Sequence, residues 1–104
     1  MVIRILDHVA TASTYEDGEK IYRLIRGPIT EGETVTVSFD GVLAVPSAFV
    51  NAAFVRLLES IPIDRVRRCL RIKDSTRAIN ELIRGRFSFV AQGDGLKPPG
   101  YSPD

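Results

Sequence analysis

The chain has 104 residues, enough for one domain with a single core and too few for a second. Hydrophobic residues make up 44% and charged residues 26%, a globular balance that excludes a disordered or fibrous chain. The formal net charge of +1 conceals an asymmetry: residues 1–52 carry four Lys/Arg against seven Asp/Glu, a net −3, and residues 53–104 carry ten against six, a net +4.

Val2-Ile3-Arg4-Ile5-Leu6 is short and β-branched and reads as a first strand, with Asp7-His8 opening the exit loop. Ser13 or Thr14 is placed to cap a helix beginning near Tyr15, and Glu16, Asp17 and Glu19 suit the positive end of its dipole. Gly18, Ile21, Tyr22 and Ile25 recur at helical spacing until Gly27-Pro28, a predicted stop. Thr34 to Phe39 alternates apolar with small polar residues, the mark of a second strand, and Asp40-Gly41 closes it. The next helix, predicted from Ser47 to Ser60, is apolar almost all round, which implies burial on more than one side or a surface offered to a partner.

Val66 to Ile72 fits a third strand with charges on both faces, hence an edge strand. Asp74 or Ser75 would then cap a third helix running to about Gly85, with Ala78, Ile79, Leu82 and Ile83 as its inner stripe. Phe87 to Val90 either extends that helix or forms a short extra strand. The order β-α-β-α-β-α predicts a small single-domain α/β sandwich over residues 1–90, with a sheet of three to four strands covered by helices. Residues 91–104 are rich in Gly and Pro and are expected to be a flexible tail.

The chemistry-bearing residues are few. His8 is the lone histidine and Cys69 the lone cysteine, so no intramolecular disulfide and no metal-ligand spacing are available, and no convergent acid, base and nucleophile emerge. No cofactor is expected, because the Gly-rich tail lacks a phosphate-loop frame. No window approaches the roughly 18 to 20 apolar residues of a membrane span, and the first residues lack a signal peptide's apolar stretch; a cytoplasmic protein is expected. Arg65, Arg67, Arg68, Arg71, Lys73, Arg77, Arg84 and Arg86 form a basic set that invites an anion or nucleic-acid reading, with Arg67, Arg71, Lys73 and Arg77 as contacts. The strand lacks interleaved aromatic residues, so a solvated edge guarded by charge is the stronger reading.

The run Val35 to Leu58, VTVSFDGVLAVPSAFVNAAFVRLL, resembles the central strand-loop-helix of the STAS-like family of unknown function, which is related to anti-sigma factor antagonist domains. Ser38-Phe39-Asp40-Gly41-Val42 and Ser47-Ala48-Phe49 occupy that frame, Gly18-Glu19-Lys20-Ile21 resembles the start of the family's first helix, and Ile79 to Ile83 its last. The resemblance implies a bacterial or phage-encoded, non-enzymatic adaptor that binds a protein partner, often a histidine-kinase-like ATPase, through the loop and helix bearing a serine that is phosphorylated in better-known members. Here Ala48 stands at the position best matched to that serine, with Ser47 one residue earlier.

The expected partner-binding surface is therefore Asp40, Pro46, Ser47, Phe49, Val50 and Asn51, with Phe49 or Val50 as the apolar anchor. Ser47 is either a phosphorylation site at a helix start or a plain N-cap. A homodimer through the apolar helix or an edge strand is the further alternative.

Overall fold

A computed structural model describes residues 1–93, with side chains through Phe89. Strand β1 covers Val2–Arg4, helix α1 Tyr15–Thr30, β2 Val35–Ser38, α2 Ser47–Ala53, α3 Ile63–Cys69, β3 Leu70–Lys73 and α4 Arg77–Gly93. The three strands form one parallel sheet in the order β1-β2-β3. Ile3, Val37 and Ile72 stand in register and face the helices, as do Val35 and Leu70. The neighbouring row, Val2, Thr36 and Arg71, points the other way; Val2 is 66% exposed, so among the described residues the sheet is covered on one face only. Connections that advance in one direction and are right-handed place successive helices on the same side, and α1 packs closely on α2, α4 on α2, and α3 on α1.

Several boundaries differ from the sequence reading. The first strand ends at Arg4, because Ile5–Asp7 winds into a 3-10 turn that returns Asp7 Oδ1 to within 3.0 Å of Arg4 Nη1. Helix α1 passes through Gly27-Pro28 to Thr30. A proline near a helix end forfeits one backbone bond, and the Pro28 carbonyl accepts from the Glu31 and Glu33 amides while Arg65 Nη1 donates to Thr30 O at 2.7 Å. The second helix stops at Ala53; after Phe54 the chain tightens into a 3-10 helix, Val55–Glu59. That change of winding buries both Phe54 and Leu57 completely.

The largest difference is at Val66 to Cys69, predicted as strand and found as the end of α3. The segment satisfies both periods: Val66, Leu70 and Ile72 alternate, but Val66 and Cys69 are also three apart on one helical face and both are buried. Asp64 in the first turn and Arg67 and Arg68 in the last complement the helix dipole and favour the helix. Only Leu70–Lys73 remains strand, and it is an edge as expected, with exposed Arg71 and Lys73. Helix α4 is capped by Thr76, whose Oγ1 accepts from Ile79 N at 3.1 Å, rather than by Asp74 or Ser75. It absorbs Gly85 and Phe87, and Ile79 and Ile83 are its buried stripe while Ala78 is exposed. Of the tail read over residues 91–104, residues 91–93 continue α4, and those from 94 onward lie outside the described residues.

The core is continuous from the sheet to the helices. Phe39, Phe49 and Phe54 are fully buried, with ring centroids 6.2 Å apart for Phe39–Phe54 and 6.4 Å for Phe49–Phe54. Thr14 caps α1 by accepting from Asp17 N at 3.0 Å, and the Asp17 carboxylate reaches back to Ser13 N and the Thr11 hydroxyl, each at 3.2 Å. Partial burial acts against ionisation of Asp17, but the hydrogen bonds from Ser13, Thr14 and Thr11 outweigh it and hold the carboxyl below its ordinary value of 3.8. A carboxyl depressed in the folded state stabilises fully above its unfolded value and loses that contribution as pH falls through the folded one. Asp17→Asn is accordingly expected to be less stable than wild type at pH 7, with the gap in urea midpoint closing below about pH 4; a gap independent of pH would contradict this role.

Candidate functional site

Ligands of parallel α/β sheets gather at the carboxyl ends of the strands, where loops rather than packed side chains form the surface. Here that edge is made by the β1–α1 loop, the β2–α2 loop and the short β3–α4 turn. Each strand delivers one aspartate: Asp7, Asp40 and Asp74. Arg4 bridges two of them, Nη1 to Asp7 at 3.0 Å and Nε to Asp40 at 3.2 Å, and these hydrogen bonds raise its pKa further. The third is tied inward: Ser38 Oγ donates to Asp74 Oδ2 at 2.8 Å and accepts from Asp40 N at 3.2 Å, which joins the ends of β2 and β3. Asp74 adopts φ +56°, a left-handed backbone that an aspartate tolerates better than most residues. Among the described residues no three His, Cys, Asp or Glu side chains are grouped to hold a metal ion.

The β2–α2 loop is fixed at several points. Gly41 has φ +86°, and a Cβ there would lie 2.8 Å from Leu6 Cδ1, so the turn needs a glycine. Val42 is buried and its amide donates to Phe39 O at 2.8 Å. One residue later the Thr76 hydroxyl, the cap of α4, donates to Leu43 O at 3.3 Å. The Leu43 side chain, by contrast, is 81% exposed, more than any other large hydrophobic residue described. It stands at the lip of an open groove of about 250 Å³ between the two loops, lined also by Leu6, Ala10, Ala12, Val42 and Ala44.

The sequence-predicted surface is only partly brought together there. Asp40, Pro46 and Ser47 are exposed on or beside the loop. Phe49 and Val50 are not: both are wholly buried, so neither can anchor a partner, because α2 packs against α1 and α4 and turns these side chains into the core. Asn51 is half-buried, and its Oδ1 accepts from Arg86 Nε at 3.0 Å, a tie between α2 and α4. Ser47 is not an N-cap; Pro46 holds that position without a side-chain bond, and Ser47 is the first residue of the helix.

The basic set is divided among three elements. Arg67 lies on α3, Arg71 and Lys73 on β3, and Arg77 on α4, where it pairs with Glu81 at 3.1 Å; Lys73 lies 3.9 Å from Asp74. Sequence reasoning took in the loop from Asp40 to Ser47 without singling out Leu43, and it missed the Ala10–Ser13 wall of the groove. The signal available for Leu43 was its place in the loop between Gly41 and Pro46, outside any periodic pattern that would direct it inward.

Comparison with family models supplies the missing context: the model described as STAS-like domain of unknown function (DUF4325) matches residues 17–80, from the first turn of α1 into α4. The chain belongs to this STAS-like family. Neither a curated protein nor a solved structure matches the chain. The matched span of the STAS-like domain includes the whole β2–α2 loop with Leu43 and Ser47, whereas β1 and the Ala10–Ser13 wall of the groove precede it. No helix among the described residues is long and apolar enough to cross a membrane.

Proposed function

We propose that this STAS-like domain is a non-enzymatic regulatory module of the cytoplasm that docks a protein partner on the β2–α2 loop, from Asp40 to Ser47. The observation that carries the reading is Leu43, an apolar side chain 81% exposed on a loop held by Gly41, Val42 and the Thr76 hydroxyl. A leucine presented on a fixed loop binds without the ordering cost that a mobile loop incurs, which is what an interface anchor requires. The STAS likeness favours a histidine-kinase-like ATPase as the partner. Ser47, exposed at the start of α2, is the residue at which phosphate would add charge beside the docking loop and switch binding off.

Site-specific photo-crosslinking tests this in cells of the source organism. A photoreactive residue at position 43 or 47 is expected to capture the same protein, identified by mass spectrometry, whereas one at Arg26, exposed near the far end of α1, captures none. Combining the position-43 probe with Ser47→Asp is expected to lower the adduct yield. Equal capture from positions 26 and 43, or none from 43, would refute the placement of the surface.

A further inference from the structure

We infer that the groove beside Leu43 receives a basic amphipathic segment of the partner, its apolar side on Leu6 and Leu43 and its lysines or arginines against the surrounding carboxylates; this rests on the docking reading above. The groove is small and open. At about 250 Å³ and open to solvent it is smaller than the roughly 300–1,000 Å³ of enclosed small-molecule pockets, and suits side chains projecting from a segment laid across it.

Of the residues that line it, Leu6, Ala10, Ala12, Val42, Leu43 and Ala44 are apolar. The two hydroxyls on the wall are engaged with one another and with Asp17: Thr11 Oγ1 lies 2.8 Å from Ser13 Oγ and 3.2 Å from Asp17 Oδ2. The floor therefore asks for apolar groups.

Residues 4–17 and 40–47 carry four carboxylates, Asp7, Glu16, Asp17 and Asp40, against one cation, Arg4, a net −3 with His8 neutral. That one guanidinium is spent between Asp7 and Asp40, which remain 60% and 65% exposed. Partial burial acts against the charged form of Asp17, but the hydrogen bonds it accepts from Ser13, Thr14 and Thr11 outweigh it, which keeps the wall negative at neutral pH. Excess negative charge on the two segments that form the groove attracts a cationic partner at long range and repels an anionic one.

The full chain and two labelled peptides of about fourteen residues test the proposal by fluorescence anisotropy: one with leucines at helical spacing and lysines elsewhere, one with glutamates in place of the lysines. The Leu/Lys peptide is expected to bind, with affinity falling at least tenfold between 50 and 300 mM salt, and the Leu/Glu peptide to bind at least tenfold more weakly at low salt. Leu43→Ser, a change at an exposed position whose folding is checked by circular dichroism, is expected to weaken the Leu/Lys complex at least fivefold. Asp40→Asn is expected to flatten the salt dependence.

No binding of the Leu/Lys peptide, equal binding of the two peptides, or unchanged binding by Leu43→Ser would overturn the inference. So would sedimentation showing that the chain self-associates and that Leu43→Ser abolishes it, which would make a second copy the occupant. If cells yield an adduct at position 43 while the Leu/Lys peptide fails to bind, the basic chemistry falls and the docking surface survives. If both fail, the surface itself falls.

Discussion

Replacing Gly18 with alanine is expected to destabilise the domain by about 1–3 kcal/mol, even though alanine is the better helix former. A Cβ at Gly18 would lie 2.6 Å from the Phe49 carbonyl oxygen, 2.8 Å from Ala52 Cβ and 3.2 Å from Ala53 N. Two of these three are backbone atoms of α2, which cannot rotate aside, so α1 and α2 would have to separate. Helix propensity offsets part of the cost, about 1 kcal/mol in favour of alanine. Gly85, exposed in α4 with nothing within 4 Å of its would-be Cβ, isolates that propensity term. Gly85→Ala is expected to raise the urea midpoint, by roughly 0.5–1 kcal/mol in stability, while Gly18→Ala lowers it. Two midpoints moving in the same direction would show that α1 and α2 are not in close contact at Gly18.

Phe39→Ala is expected to cost about 3–5 kcal/mol, a large share of the roughly 5–15 kcal/mol that a domain of this size possesses. Phe39 follows the last residue of β2, is fully buried, and sits against Phe54 at the place where the sheet, α2 and the following 3-10 helix converge. Removing the ring leaves a cavity that surrounding backbone cannot fill. Because Phe54 faces the same space, the double variant Phe39→Ala/Phe54→Ala is expected to depart from additivity by more than 0.5 kcal/mol in a denaturation cycle. Strict additivity would mean that the two rings do not share a cavity.

Both predictions rest on residues whose types were readable before any coordinates, yet they differ in how far the sequence carried them. Phe39 stands at the end of an alternating run, and that alternation alone places it inward. Gly18 lies on the helical stripe of α1, but nothing local says that a second helix crosses there closely enough to exclude a methyl group. The candidate site shows the same division. Exposure of Asp40, Pro46 and Ser47 follows from a loop punctuated by glycine and proline. The choice of Phe49 or Val50 as anchor failed because the helix is apolar almost all round, and such a helix does not announce which side chains its neighbours will cover. Leu43, a single leucine in a short loop, has no periodicity to reveal it.

The sequence by itself determined the three strands and their alternation with helices, a helix start at Ser13 or Thr14, the inward placement of Phe39, the charged edge strand and the family. These are set by short-range signals: side-chain alternation, capping chemistry and dipole-matched charges act within a few residues. Only the tertiary structure decided that Val66 to Cys69 is helix, that helices cover one face of the sheet, that Arg4 reaches Asp40 across 36 positions, and that Leu43 is left in solvent beside a groove. Each of those outcomes depends on which distant surfaces meet, and where two local patterns are equally satisfied, the burial gained from those meetings selects between them.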